Sequence, residues 1–197
     1  MGRYYPDVLQ SDAYKHPLEN MNLAKYAWAA AETVAADDDG VLVATATKTT
    51  AQVITTMTKQ PPCARNVTVK SGGEAGDLKA SKITVRGTNI AGAEIYEEFD
   101  VTVDTALNAT GSKAFKTVTA VEIPAQDGAT ATIQVGWGVK YGLPVMLDGQ
   151  TPMWGYIDGK LEATAPTLVT DDNELEKNVV SFNTAPNGKA TVFIFAI

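Results

Sequence analysis

Few side chains in this sequence of 197 residues are of the types that catalyse reactions. The single histidine, His16, precedes Pro17 in an irregular stretch, whereas a nucleophilic site needs a histidine held rigidly beside its serine or cysteine. The sequence contains no Gly-x-Ser-x-Gly elbow and no glycine-rich loop that continues into Lys-Ser/Thr. We therefore expect no catalytic residue, no cofactor and no enzymatic activity.

Carboxylates are grouped where they could bind an ion or take part in hydrolysis. The run Asp37–Asp39 could offer oxygens to Ca²⁺, but the EF-hand spacing and its closing glutamate are missing, which favours a solvated turn. Glu97 shares a strand face with Ile95 and Phe99, where an apolar residue is expected. A buried carboxylate paired with Lys or Arg, a strand edge and a subunit contact remain as explanations of Glu97. We expect no resident metal.

Three large aromatic residues could form a platform on which a sugar ring stacks. They are Trp137, Trp154 and Tyr156. In an all-β protein, however, such side chains more often fill a core or an interface, and we favour that interpretation.

The elements that must position these residues are strands. Apolar and polar residues alternate with a period of two in several segments, which places the two sets on opposite faces of a strand. These segments lie near 65–70, 80–87, 93–103, 114–123 and 131–137. Turn residues separate them, and no convincing amphipathic helix intervenes, as a parallel sheet would require. The pattern predicts an all-β protein, an antiparallel β-sandwich or barrel of Greek-key or meander type.

The two ends of the sequence differ from this middle part. Residues 1–25 are rich in tyrosine and have no clear period, which predicts an extended arm that packs on its own domain or on a neighbouring subunit. The main β domain would then span residues 26–148. Residues 149–197 would complete that domain or form subunit contacts, because their final segment, 190–197, is apolar on both faces and has to be buried.

The segment between the arm and the first clear strand is ambiguous. The alanine-rich stretch 23–36 suits a helix, but its aromatic and β-branched residues suit a strand. Because Asp37–Gly40 has the composition of a turn and Val41–Val43 follows it, we favour a β-hairpin here. A further strand is expected over 52–58.

Composition narrows the classes of partner. The net charge of −7 and the scattered basic residues argue against nucleic acid, which requires clustered Lys and Arg. No apolar run approaches the roughly 18 residues that cross a bilayer, so we expect no membrane partner. The single cysteine, Cys63, excludes an intrachain disulfide and indicates a packed thiol. Without a signal-peptide pattern at its start, the protein is expected to be made in a cytoplasm.

The strand and turn motifs resemble those of a recurrent group of virion proteins from tailed bacteriophages. The resemblance covers about residues 60–145, and the motifs occur in the same order. They are Arg65-Asn66-Val67-Thr68-Val69, Ile83-Thr84-Val85-Arg86-Gly87-Thr88-Asn89 with Gly92, Tyr96-Glu97-Glu98-Phe99, Gly111-Ser112-Lys113-Ala114-Phe115-Lys116-Thr117-Val118-Thr119, Ile133-Gln134-Val135-Gly136-Trp137-Gly138 and Tyr141-Gly142-Leu143-Pro144. The chain is thus similar to small β-rich structural proteins of phage particles, often those of the head.

This resemblance implies a capsid decoration protein, made in the host bacterial cytoplasm and located in the virion. Its partners would be the major capsid protein and copies of itself in a symmetric oligomer such as a trimer. Extended arms suit such a clamp because a strand can add to an exposed sheet edge. The candidate contact residues are Tyr4, Tyr5, Tyr14 and Tyr26 in the arm, and Phe193, Phe195 and Ile197 at the other end. The alternatives are a phage tail or connector subunit and a carbohydrate- or receptor-binding β-sandwich module.

Overall fold

The computed structural model describes residues 9–10, 17–18, 23–147 and 152–196. Within these ranges the regular structure is β-strand, apart from three short 3-10 helices. The strands are β1 (Leu9–Gln10), β2 (Pro17–Leu18), β3 (Leu23–Trp28), β4 (Asp37–Ala46), β5 (Gln52–Ile54), β6 (Arg65–Gly73), β7 (Ser81–Thr88), β8 (Glu94–Val101), β9 (Asn108–Phe115), β10 (Thr117–Ile123), β11 (Ala131–Gly142), β12 (Pro152–Ile157), β13 (Lys160–Leu161), β14 (Thr167–Val169), β15 (Val179–Ser181) and β16 (Thr191–Ala196). The 3-10 helices are Ala30–Glu32, Ala75–Asp77 and Leu175–Lys177.

Two antiparallel sheets form the body of the molecule. One has the order β5-β10-β7-β8, and the other has the order β14-β15-β11-β6-β9 with β4 also paired to β11. The alternation in the sequence explains how the two sheets face each other: Ile83 and Val85 of β7 are fully buried, whereas Lys82 and Arg86, on the opposite face of the strand, are exposed. The prediction of an all-β antiparallel sandwich or barrel is confirmed. β1 and β2 form a separate two-stranded antiparallel sheet.

The main core lies between these two sheets. It consists of Val41, Leu42, Val67, Val69, Leu78, Ile83, Val85, Ile95, Phe99, Val101, Phe115, Val118, Val121, Ile123, Ala131, Ile133, Val135 and Trp137. Removing each such large apolar side chain from water contributes roughly 1.5–3 kcal/mol, so this layer is the main source of stability for the body.

The two sheets are joined at one edge by the chain itself and by one carboxylate. The sequence predicts one long strand over 114–123, but the structure divides it: β9 ends at Phe115 in one sheet, and β10 begins at Thr117 in the other. Glu97 of β8 accepts hydrogen bonds from the backbone N–H of Ser112 (2.7 Å) and from its hydroxyl (2.8 Å) on β9. Glu97 therefore occupies a strand edge, one of the explanations that the sequence left open.

A third sheet, which we call the C-terminal sheet, has the order β13-β12-β16-β3. It covers a second core against β15 and the end of β11. This core contains Trp28, Cys63, Tyr141, Leu143, Leu147, Leu168, Val180, Phe193 and Phe195. The rings of Trp28 and Tyr141 lie 4.9 Å apart between their centroids, so they join β3 to β11.

The predicted hairpin between residues 23–36 and Val41–Val43 is wrong. Its first arm, β3, pairs with β16 in the C-terminal sheet, whereas its second arm belongs to β4 and pairs with β11. The turn-like residues Asp37–Gly40 lie inside β4, where Trp137 pairs with Asp37 and Val135 pairs with Leu42. These residues form an irregular, bulged part of the strand, because turns and bulges require similar backbone conformations and are therefore formed by similar residues.

Two further boundaries differ from the prediction. The strand expected over 52–58 is limited to Gln52–Ile54, and the prolines that follow it lie in irregular chain. Residues 23–25, at the end of the predicted arm, are the start of β3 and pair with β16. Most of the predicted arm lies outside the described residues.

Candidate interaction surface

The outward side of the C-terminal sheet is unusually apolar. We call it the apolar face and define it by Leu23, Ala27, Trp154, Tyr156, Leu161, Val192 and Ile194, with Lys25 among them. The register places Ile194 between Lys25 on β3 and Trp154 on β12, and it places Tyr156 between Val192 and Leu161. Since opposite residues in antiparallel strands share a face, these side chains are contiguous.

Much of this face meets solvent. Leu23 is 53% exposed, Trp154 is 40% exposed and Leu161 is 56% exposed, while Tyr156, Val192 and Ile194 are half-buried. A shallow depression of about 290 Å³ lies on it, lined by Lys25, Tyr156, Gly159, Val192 and Ile194. Contiguous exposed apolar surface of this kind is typical of a site that interacts with a partner or a ligand.

The outward side of the β5-β10-β7-β8 sheet has the opposite character. Lys82 pairs with Glu98 at 2.7 Å, Arg86 pairs with Glu122 at 2.5 Å, and the guanidinium of Arg86 lies 5.6 Å from the ring centre of Tyr96. Exposed pairs of this kind contribute little to stability, and they are typical of a face that stays in water. The contrast singles out the C-terminal sheet as the candidate adhesive surface.

The contact residues predicted on this sheet point the other way. Phe193 and Phe195 of β16 are buried in the second core, with their rings stacked 5.0 Å apart. Tyr26 of β3 is half-buried on the same inner side, and its ring meets that of Trp28 edge-on at 4.7 Å. The register thus directs these three side chains toward the second core and directs Val192 and Ile194 outward, and it leaves Phe193 and Phe195 without exposed surface in this chain.

Five other residues that the sequence analysis considers lie outside the described part of the chain. They are the predicted contact residues Tyr4, Tyr5, Tyr14 and Ile197, and the single histidine, His16. The residues that the sequence did not single out are Leu23, Leu161, Val192 and Ile194. The apolar character of residues 190–197 on both faces could have identified two of them. If the side chains on one face of this strand are buried in a core, the apolar side chains on the other face are left exposed.

The predicted aromatic platform is only partly assembled. Trp137 is buried in the main core, where its indole N–H donates to the carbonyl of Ala35 at 3.0 Å. It therefore cannot stack on a ligand together with the other two residues. Trp154 and Tyr156 are two residues apart on β12 and share the apolar face.

The acidic residues of β4 are used within the chain. Lys70 pairs with Asp38 at 2.5 Å, and the backbone N–H of Asp39 donates to Asp37 at 3.4 Å. A side-chain hydrogen bond with Asp37, desolvation and the charge of Asp37 raise the pKa of Asp39 above its ordinary value. Among the described residues, no three His, Cys, Asp or Glu side chains are grouped so that they could hold a metal ion.

Cys63 lies in the second core beside a buried cation. Arg65 is fully buried; its guanidinium donates to the carbonyls of Val34 (2.7 Å) and Gly138 and lies 5.1 Å from the ring centre of Tyr141. Burial raises the pKa of the Cys63 thiol to about 12, and it lowers the pKa of Arg65. A thiol with so high a pKa is a poor nucleophile at neutral pH, so this group is a packed side chain.

Neither the helices of the chain nor its similarity to known proteins indicates a function. No helix in the described ranges has the length and apolar character needed to span a bilayer. Comparisons of the chain with protein-family models, with curated protein sequences and with solved structures found no match. The apolar face and the residues that form it are therefore the features of this chain that point to a function.

Proposed function

We propose that this chain is a non-enzymatic structural protein of a phage virion, which binds the assembled head and stabilises it. The observation that carries this proposal is the apolar face, an extended contact surface without grouped ionisable residues. The resemblance of residues 60–145 to β-rich virion proteins supports the same conclusion. The head would be the location of the protein, and the major capsid protein would be its main partner.

Adhesion is the proposed mechanism. A protein that binds only the assembled lattice shifts the equilibrium toward that lattice in proportion to its affinity and concentration. Leu23, the first residue of the apolar face, directly follows the tyrosine-rich residues 1–22 in the sequence. We assign both to the same partner, with residues 1–22 acting as the clamp and the apolar face as the area buried against the capsid.

The test is cosedimentation with heads assembled from the major capsid protein of the same phage. We expect deletion of residues 1–22, which leaves β3 complete, to abolish binding. Ile194→Asp should weaken it at least about tenfold, or ~1.4 kcal/mol, because a charge would be buried in an apolar contact. The matched control is Val53→Asp, a substitution of a residue that is 66% exposed on edge strand β5 and should leave binding unchanged.

Two results would reject this assignment. Binding by both variants at the wild-type level would show that neither surface contacts the head. Rings or tubes of the purified protein in negative-stain microscopy would favour the alternative role as a tail or connector subunit. Light scattering on the purified protein measures whether it forms the proposed homo-oligomer, such as a trimer.

A second candidate function is carbohydrate or receptor binding. Trp154 and Tyr156 favour it, since they share the apolar face beside the depression that contains Lys25. Aromatic side chains at a surface can stack on sugar rings. Binding of a glycan that quenches tryptophan fluorescence in the wild type but not in Trp154→Ala would support this function, and a glycan array without hits would remove it.

A further inference from the structure

Three elements meet at a buried polar cluster away from the apolar face. Asn89 follows β7, Lys113 belongs to β9, and Glu176 belongs to the 3-10 helix Leu175–Lys177. Asn89 is 4% exposed and Glu176 is 7% exposed, so both are shielded from water. The side chain of Lys113 is 18% exposed. A lysine, a carboxylate and a carboxamide are thus brought together in a low-dielectric site.

The carboxylate of Glu176 bridges the other two groups. Its Oε1 accepts a hydrogen bond from Lys113 Nζ at 3.3 Å, and its Oε2 accepts one from Asn89 Nδ2 at 3.2 Å. The side-chain carbonyl of Asn89 points elsewhere: its Oδ1 accepts from the backbone N–H groups of Ala91 and Ala93, both at 3.0 Å. The amine, the carboxamide, a shared proton carrier and two donors on the carbonyl oxygen are therefore all present.

We propose that Lys113 and Asn89 form an isopeptide bond in the folded protein, with Glu176 as the general base and acid. Two backbone donors on a carbonyl oxygen have the arrangement of an oxyanion hole, which stabilises negative charge as it develops on that oxygen. A carboxylate that contacts both reacting groups can carry protons from the nucleophile to the leaving group.

The reaction balances without an added reactant. The Lys113 ammonium gives a proton to Glu176, and the neutral Nζ attacks Cγ of Asn89, while the N–H groups of Ala91 and Ala93 hold the oxyanion. Protonated Glu176 delivers its proton to Nδ2, and the regenerated carboxylate takes the second proton from Nζ. The Cγ–Nδ2 bond breaks while the Nζ–Cγ amide remains, and the departing ammonia takes the second proton from Glu176 and leaves as ammonium. No oxidation or reduction occurs.

The resting state of the lysine sets the expected pace of this reaction. Burial disfavours the ammonium form, but the hydrogen bonds and charges of Glu174 and Glu176 outweigh burial and raise the pKa of Lys113. The carboxylate of Glu174 accepts a hydrogen bond from Lys113 Nζ at 2.7 Å, and it also forms an ion pair with Lys177. Because the attacking amine is a minor species, we expect a slow reaction that reaches completion only because loss of ammonia is irreversible.

The bond would join the two sheets of the body. Asn89 lies in the turn between β7 and β8, and Lys113 lies on β9 in the opposite sheet. A covalent link between distant parts of the chain restricts the unfolded state, as a disulfide does, and it needs no oxidising compartment.

Mass spectrometry of the intact, denatured wild-type protein tests the proposal. We expect a mass lower than that of the encoded chain by one ammonia, and a branched tryptic peptide that joins Lys113 to Asn89. Lys113→Arg should restore the full encoded mass. Asn89→Asp should react with loss of water instead of ammonia, which identifies the electrophile.

The controls separate this bond from other losses of ammonia. Lys82→Arg alters a lysine that contacts the exposed Glu98, and it should keep the mass loss. Wild-type protein that keeps its full mass after prolonged incubation in the folded state would overturn the proposal and leave the cluster as an ion-pair tether. A mass loss that persists in Lys113→Arg would also overturn it. Neither measurement involves a capsid, so the result is independent of the proposed binding to heads.

Discussion

Arg65 shows how far a single residue can depart from the pattern of its strand. Its guanidinium is fully buried, and among the described residues its partners are the carbonyls of Val34 and Gly138 and the ring of Tyr141. A buried cation without a carboxylate is costly, and its Nε has no partner in that part of the chain. Arg65 ties the chain that follows β3 to β11, so it connects the edge of the second core to the body.

The thiol beside Arg65 gives a prediction about pH. Burial raises the pKa of Cys63 from 9.0 to about 12 and that of Tyr141 from 10.0 to about 12. At a pH between the ordinary and the raised pKa of each group, the unfolded chain has lost a proton that the folded chain keeps. The free energy of unfolding should therefore fall as the pH rises through this range. Urea unfolding at about pH 8 and about pH 10 measures the slope, which should be smaller in Cys63→Ala. Equal slopes would contradict the prediction.

Single residues differ in how well the sequence predicts them. The interpretation of Trp137 as a core residue and of Cys63 as a packed thiol agrees with the structure, because local composition and alternation suffice for both. The cluster of Asn89, Lys113 and Glu176 could not be predicted. Its members come from three separate segments, and only the tertiary fold brings them together.

Among the elements, β16 determines which side chains meet solvent in the C-terminal sheet. Its neighbours β3 and β12 fix the register. Phe193 and Phe195 therefore face the second core, and Val192 and Ile194 lie on the apolar face. A strand that is apolar on both faces carries no period-two signal. The direction of its side chains therefore could not be predicted, although its burial could.

Substitutions on β16 should separate its two faces. Phe193→Ala should lower the free energy of unfolding by about 3–5 kcal/mol, because it leaves a cavity in the second core. The matched change Ile194→Thr, on the apolar face, should cost less than ~1 kcal/mol. Urea denaturation of both variants provides the measurement. Similar losses for the two would show that the strand is turned or slipped relative to this register.

Strand prediction succeeded where the alternation is strict and failed where turn residues interrupt a strand. β7 and β8 follow the period of two closely and lie where the sequence places them, whereas β11 alternates only over its first residues and extends past the predicted 131–137 to Gly142. Asp37–Gly40 has the composition of a turn, but pairing with β11 keeps it inside β4 as a bulge. Local chemistry cannot distinguish a turn from a bulge, since tertiary pairing decides between them.

Within the described residues, the two largest cores share β11. The first part of β11 pairs with β4 and closes the main core, and its end pairs with β15 above the second core. Residues from near both ends of the described chain complete the second core. The sequence predicts a main domain over 26–148, because the alternation of apolar and polar residues identifies the strands of the body but does not show that the C-terminal sheet packs on them.

A fragment that stops at residue 147 tests this dependence. It lacks β12 to β16, so Trp28, Tyr141 and Leu143 would lose the residues that bury them. We expect a soluble fragment, if obtained, to bind the dye ANS and to lose its near-ultraviolet circular dichroism while it keeps β-structure. The intact chain is the control. A fragment with cooperative unfolding and no dye binding would show that the body folds alone.

The pairing of β3 with β16 also constrains how the protein reaches its native state. On the ribosome, Leu23–Trp28 emerges long before Thr191–Ala196, its sheet partner. At a synthesis rate of about 5–20 residues per second, this edge waits on the order of ten seconds with its backbone groups unpaired. Nascent chains are therefore vulnerable to association during that interval, and chaperone supply should limit the yield of the protein more than its final stability does.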